Sequence, residues 1–207
     1  MEFQYFGGNC IRISSKKAAI VIDDNLADLG QKSVTKSGDI ALFTQAHGTP
    51  SAEAKVVIDQ PGEYEVSDIS IQGIAAQAHI DEPNQHNATI FRVTAGDIKV
   101  AVVGHIYPEL SEAQLESLGM VDVLLIPVGG NGYTLDGIGA LKIIKKIEPK
   151  IVIPTHYDEP GFNFPVPQQP LSEALKALAM EPKEAVPKLK LKAGEVSDVM
   201  QLVILER

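Results

Sequence analysis

Tryptophan is absent from these 207 residues, and Tyr and Phe bring the aromatic share to only 5%. A core built from such a chain cannot rest on stacked rings. It must rest on Ile, Val, Leu and Ala, a palette whose β-branched members suit strands packed between helices. Cysteine is almost absent as well. Cys10 stands alone, so no internal disulfide framework is available, and a reducing compartment, the cytoplasm, is the expected location. Positive charge is scarce: 18 Lys and Arg face 27 Asp and Glu, a formal net charge of -9. Clustered cations carry phosphate binding, so a nucleic-acid partner is not expected. Lys142, Lys145, Lys146 and Lys150 recur at helical spacing and read as a solvated face. Long apolar runs are also missing. Val121 to Val128 is strand-length, far short of the roughly 20 residues that cross a bilayer, and no membrane span is expected. No basic segment leads into an apolar one near Met1, so no secretory signal is expected either.

What is present is a strand-rich first half. Phe3 to Phe6, Cys10 to Ser14, Ala18 to Ile22 and Ile40 to Thr44 alternate or carry β-branched residues and are predicted strands. Lys55 to Asp59, Ile69 to Ile74, Thr89 to Val93 and Ile98 to Val103 continue the pattern, the last two joined by an Ala95-Gly96-Asp97 hairpin turn. Helices are predicted afterwards. Ser111-Glu-Ala-Gln114 forms a capping box opening a helix towards Leu118. A second helix is predicted from near Thr134 to before Pro149, with Ile138, Leu141, Ile144 and Ile147 on its apolar face. Strand, helix and strand from Val121 to Pro154 make a right-handed βαβ unit. Asp158 to Pro170 holds four prolines and is predicted as a loop beside His156; a helix over Ser172 to Met180 and a strand over Val199 to Leu205 follow. At about 150 residues per domain the length falls between one and two units, and because sandwich folds commonly reach this size as one domain, a single unit over residues 1–207 is expected.

Five sequence blocks carry a resemblance. Ala41-Leu-Phe-Thr-Gln-Ala-His-Gly-Thr-Pro50 is an apolar strand running into a loop that retains one histidine. Pro61-Gly-Glu-Tyr-Glu-Val66, Val103-Gly104-His105, Asp122-Val-Leu-Leu-Ile-Pro-Val-Gly-Gly130 with Thr134-Leu-Asp136, and Ile151-Val-Ile-Pro-Thr-His-Tyr157 follow in order. Together they resemble the metallo-β-lactamase fold, in particular a branch of small, uncharacterised metal-dependent hydrolases. The resemblance implies a four-layer αββα sandwich. It also implies a zinc pair, held by a loop reading Thr-His-x-His-x-Asp-His, by an Asp after the later Gly, and by the closing His.

This chain departs from that ligand set. Gln45 stands at the first His, His47 survives, Thr49 replaces the Asp, Pro50 replaces the last His, and His105 stands where a carboxylate bridges the ions. An imidazole has one lone pair to give and cannot bridge as a carboxylate does. His47, His79, His105 and His156 are the candidate metal residues that the resemblance implies. Gln45, Asp23, Asp24 and Tyr157 are the candidates for the shell behind them or the pocket wall, Asp23 and Asp24 orienting ligands or holding a loop. Three of them have plainer alternatives: His47 as a leftover structural histidine, Asp23 and Asp24 as a strand-end turn. His86, in a polar turn, reads as exposed; Cys10 reads as a small buried residue. Gly129-Gly-Asn-Gly132, after a strand and before a helix, could cradle an anion on its amides.

Two functional readings remain. In the first, the chain is a diverged member without the dinuclear site, with no metal, whose cleft binds a small molecule or a protein, a second copy of the chain included. In the second, it is a hydrolase with one zinc ion held by His47, His105 and His156, with His79 as a fourth ligand.

Overall fold

The computed structural model describes residues 1–45 and 54–207. β1 (Glu2–Gly7), β2 (Cys10–Ser14) and β3 (Ala19–Ile22) form an antiparallel meander, to which β4 (Ile40–Leu42) and β5 (Val56–Ile58) add in parallel. β6 (Gly62–Val66), β7 (Ile69–Ala76), β8 (Ala88–Ala95) and β9 (Ile98–Val102) run antiparallel in a second sheet. The pattern then changes to helix and parallel strand: α1 (Glu112–Leu118), β10 (Val123–Pro127), α2 (Gly137–Ile147) and β11 (Ile151–Thr155). α3 (Leu171–Leu178), β12 (Leu189–Lys190) and β13 (Gln201–Leu202) come last. The strand orders are β12-β1-β2-β3-β4-β5 and β13-β11-β10-β9-β8-β7-β6.

Alternation decides which face of each strand is buried. Phe3, Ile11, Ile13, Ile20 and Ile22 of the first sheet meet Ile71, Phe91, Val93, Val100 and Leu125 of the second in one core. Each such side chain contributes about 1.5–3 kcal/mol on burial, which lets aliphatic residues do what tryptophan is not there to do. On the far side of the second sheet, Ile90, Ala101, Leu124 and Val152 pack under Leu118, Ile143, Ile144 and Leu178 of the helices. Strands with helices behind them need apolar residues on both faces, and β10 is accordingly buried throughout. The α/β sandwich predicted from the sequence is therefore present. Among the described residues the outer face of the first sheet carries Cys10, Val21 and Leu26, covered by Phe6, Val34 and Phe162.

The capping box is found as predicted: Ser111 accepts from the Gln114 N–H, and the Gln114 side chain accepts from the Ser111 N–H. α2 differs in two respects. It starts at Gly137, because the Asp136 carboxylate takes the Gly139 N–H and sets the N-terminus there. Its buried face is also shifted at the first turn: Ile144 and Ile147 are buried as expected, but Ile138 is 61% exposed, and Gly137, Gly139, Ala140 and Ile143 are buried instead. The reason is close packing, since a Cβ on Gly137 would lie within 3 Å of Ala177 Cβ and Ala174 O on α3. The final strand is shorter than predicted. Only Gln201 and Leu202 pair with β11, after which Leu205 bridges to Val186. Among the described residues no helix is long and apolar enough to cross a membrane.

Candidate functional site

The carboxyl ends of β3, β4, β9, β10 and β11 come together at one end of the sandwich, and there the chain leaves regular structure. Asp23, immediately after β3, has φ +43 and binds Thr44 twice: Oδ1 accepts from its N–H and Oδ2 from its hydroxyl, both at 2.7 Å. Thr44 in turn packs against Gly104 of the other sheet so closely that Gly104, at φ +56, has no room for a Cβ. The Thr44 carbonyl accepts from the Thr89 N–H at 2.7 Å, a second tie between the sheets. Glycine is needed at 104 for both reasons, the left-handed backbone and the contact. His105 follows directly.

His156 reaches the same place from β11. It has φ +50, and its N–H donates to the Gly8 carbonyl of the first sheet at 2.7 Å. The His105 and His156 rings stand edge to face with centroids 4.4 Å apart. Tyr133 lies 5.0 Å from His105, and Phe164 lies 4.9 Å from His156. Both histidines are nearly inaccessible, at 7% and 4% exposure. Burial lowers the His156 pKa to about 4, against the opposing effect of its hydrogen bond to Gln168. The tautomer follows from that bond. Gln168 Nε2 donates to the Val166 carbonyl, so Oε1 faces His156 Nδ1 at 3.1 Å. Nδ1 therefore carries the proton and Nε2 keeps its lone pair. Gly129 lets the segment carrying Gln168 come this close, since a Cβ there would collide with Gln168 Oε1 and the His156 carbonyl.

The other residues singled out from the sequence are dispersed. His79 is near the pair through its backbone, its N–H donating to the His105 carbonyl at 2.7 Å, but its ring lies beside Tyr107 and lines a separate cavity with Pro108 and Lys142. Gln45 bridges to Ala88 and lines another cavity, of about 450 Å³, with Asp59, Asp81 and the exposed His86. Asp24 holds a loop: its Oδ2 accepts from Ser33 Oγ, from the N–H groups of Val34 and Thr35, and from Thr35 Oγ1. Tyr157, a candidate for the wall of the His156 pocket, turns instead towards Tyr5, with ring centroids 5.7 Å apart. The backbone reversal at His156 sends successive side chains apart. His47, Thr49 and Pro50 lie outside the described residues.

Tyr157 belongs to a cluster that the sequence reading missed. Glu159 accepts from the Tyr5 hydroxyl at 2.8 Å and from the Gly8 N–H at 3.0 Å, fastening the 158–170 strap to the first sheet. Burial raises the Glu159 pKa, and burial with the Glu159 charge pushes Tyr157 up to about 12. Phe162 and Phe164, stacked at 5.5 Å, continue the strap over His156. Two phenylalanines in a proline-rich loop of an aromatic-poor chain were the available signal. Tyr133 and Gln168 had none.

Comparison with known proteins gives the same frame. The family model of the beta-lactamase superfamily domain matches residues 2–156. The chain belongs to the metallo-β-lactamase superfamily. It is similar to a UPF0173 metal-dependent hydrolase of Thermus thermophilus, 26% identical over 231 aligned positions, covering 95% of this chain and 98% of that one. A UPF0173 metal-dependent hydrolase of Salinibacter ruber is 23% identical over 193 positions, covering 76% and 85%. Among solved structures, a candidate zinc-dependent hydrolase of this superfamily from Thermotoga maritima superposes over the full length of both chains, with a TM-score of 0.78 and 25% identity. A Parabacteroides distasonis protein shares the fold at a TM-score of 0.66 and 16% identity, covering 99% and 93%.

The described residues of this superfamily member do not fit a paired-metal centre. No three His, Cys, Asp or Glu side chains among them converge on one point. Position 105 offers an imidazole where the resemblance places a bridging carboxylate.

Proposed function

We propose that this protein is a diverged member of the superfamily that has lost the paired-metal hydrolase site, works as one unit over residues 1–207, and uses the cleft at His105 and His156 to bind a small molecule or a protein. The observation that supports this reading is the donor set: among the described residues no three His, Cys, Asp or Glu side chains form a group able to hold a metal ion, and position 105 carries an imidazole where the resemblance places a bridging carboxylate.

A second reading is favoured by the packed imidazole pair, by the free lone pair on His156 Nε2, and by relatives named as metal-dependent hydrolases. In it, His105 and His156 hold one zinc ion with His47; His79, the fourth ligand in the sequence expectation, turns its ring into a separate cavity. Zinc content of protein purified without chelator decides between the readings, together with assays on lactam, thioester and phosphodiester substrates. Substoichiometric zinc and no turnover are expected. One tightly bound ion, lost with activity on His105→Ala, would establish the second reading, and two ions with hydrolysis would overturn both.

A further inference from the structure

Behind the glycine-rich loop that follows β10 lies a cavity of about 270 Å³, walled by His79, Pro108, Gly132, Thr134, Ile138 and Lys142. The N-terminus of α2 opens onto it. Asp136 takes the Gly139 N–H, and the Gly137 and Ile138 amides have no acceptor within the helix. A second observation is independent of the helix. Thr134 is 1% exposed, and its hydroxyl has no hydrogen-bond partner among the described residues. A buried hydroxyl left unpaired weakens a fold, and proteins retain few of them. The wall is rich in donors: the Thr134 hydroxyl, the first-turn amides, the Lys142 ammonium and the His79 ring. Its acceptor, Asp136, is turned inward as the helix cap.

The geometry points to an oxyanion site: this cavity takes the carboxylate or phosphate group of a small organic molecule, with the carbon body against Pro108 and Ile138. The helix N-terminus and Lys142 supply the charge complement, and Thr134 supplies the hydroxyl that gives specificity. The volume lies just below the roughly 300–1,000 Å³ usual for small-molecule sites, which limits the occupant to a small metabolite. The site is separate from the histidine pair, and its occupancy does not depend on whether the cleft holds a metal.

The test is an NMR titration of the full chain with inorganic phosphate and, separately, with acetate, following the Gly132 and Ile138 amides. Saturable shifts with at least one anion are expected, and the anion that gives them identifies the phosphate or carboxylate class. Lys142→Ala should weaken the binding about tenfold or more. Thr134→Val should leave the melting temperature without anion unchanged or raised, because it removes an unpaired polar group, yet abolish the rise in melting temperature that the anion produces. Absence of a saturable shift with either anion would overturn the proposal, as would binding indifferent to Lys142→Ala.

Discussion

Replacing Gly104 with alanine strikes the contact that joins the two sheets beside His105. The backbone there has φ +56, and a Cβ would lie within 3 Å of the Thr44 hydroxyl, Cβ and methyl. Thr44 cannot move aside freely, because Asp23 holds both its N–H and its hydroxyl at 2.7 Å. The left-handed conformation costs alanine about 1–2 kcal/mol, and the forced overlap about 1–3 kcal/mol. If Thr44 is displaced, the buried Asp23 carboxylate loses donors at a further cost of about 1–3 kcal/mol. Together these give a loss of about 3–8 kcal/mol, which at about 2–4 °C per kcal/mol for a chain of this size lowers the melting temperature by roughly 6–32 °C. Urea unfolding and calorimetry measure it. The control is the same change in a Thr44→Gly background, where only the backbone term of about 1–2 kcal/mol should remain. An equal loss in both backgrounds, or less than about 1 kcal/mol in the parent, would refute the contact.

Other outcomes follow from the same geometry. His156 has a folded pKa of about 4 against an unfolded value near 6.5, so between these values the unfolded state binds the extra proton. Its contribution is fully present above about pH 6.5 and declines as pH falls towards about 4, by up to about 3 kcal/mol; unfolding of the parent and of His156→Asn at pH 7.5 and 4.5 should show that slope only in the parent. Asp24→Ala leaves the Val34 and Thr35 amides and two hydroxyls without their acceptor, and a loss of about 3 kcal/mol with faster amide exchange over 33–35 is expected; unchanged exchange would show that the carboxylate does not hold this loop. Glu159→Ala should loosen the strap, seen as faster exchange of the Phe162 and Asn163 amides and about 1 kcal/mol of lost stability. The combined change Gln45→His, Thr49→Asp, Pro50→His and His105→Asp rebuilds the superfamily's ligand set and should create calorimetrically detectable zinc binding, whereas each single change should not.

Much of the architecture was legible because it is written in local pattern. Alternation located strands such as β2, β7 and β8, and the Ser111 capping box marked the start of α1 to the residue. The shifted first turn of α2 was not legible: Ile138 sits at the expected spacing, but which stripe is buried there depends on α3 pressing against Gly137. At the site, the order of the motifs was enough to bring His105 and His156 together, since both follow strands of one sheet at its carboxyl end. It was not enough to place Tyr157, because the left-handed turn at His156 that aims it at Tyr5 comes from the bond to Gly8, on the other sheet.

The sequence by itself determined the family and most of the strand and helix inventory, because these depend on residue identity and short-range periodicity. Tertiary structure decided the rest. It set which polar groups answer which: Asp23 to Thr44, Gln168 to His156, Glu159 to Tyr5 and Gly8. These partners are up to 154 residues apart in the chain. A hydrogen bond depends on where two atoms end up to within a few tenths of an ångström, and no local pattern encodes that for segments brought together only when the two sheets close on one core.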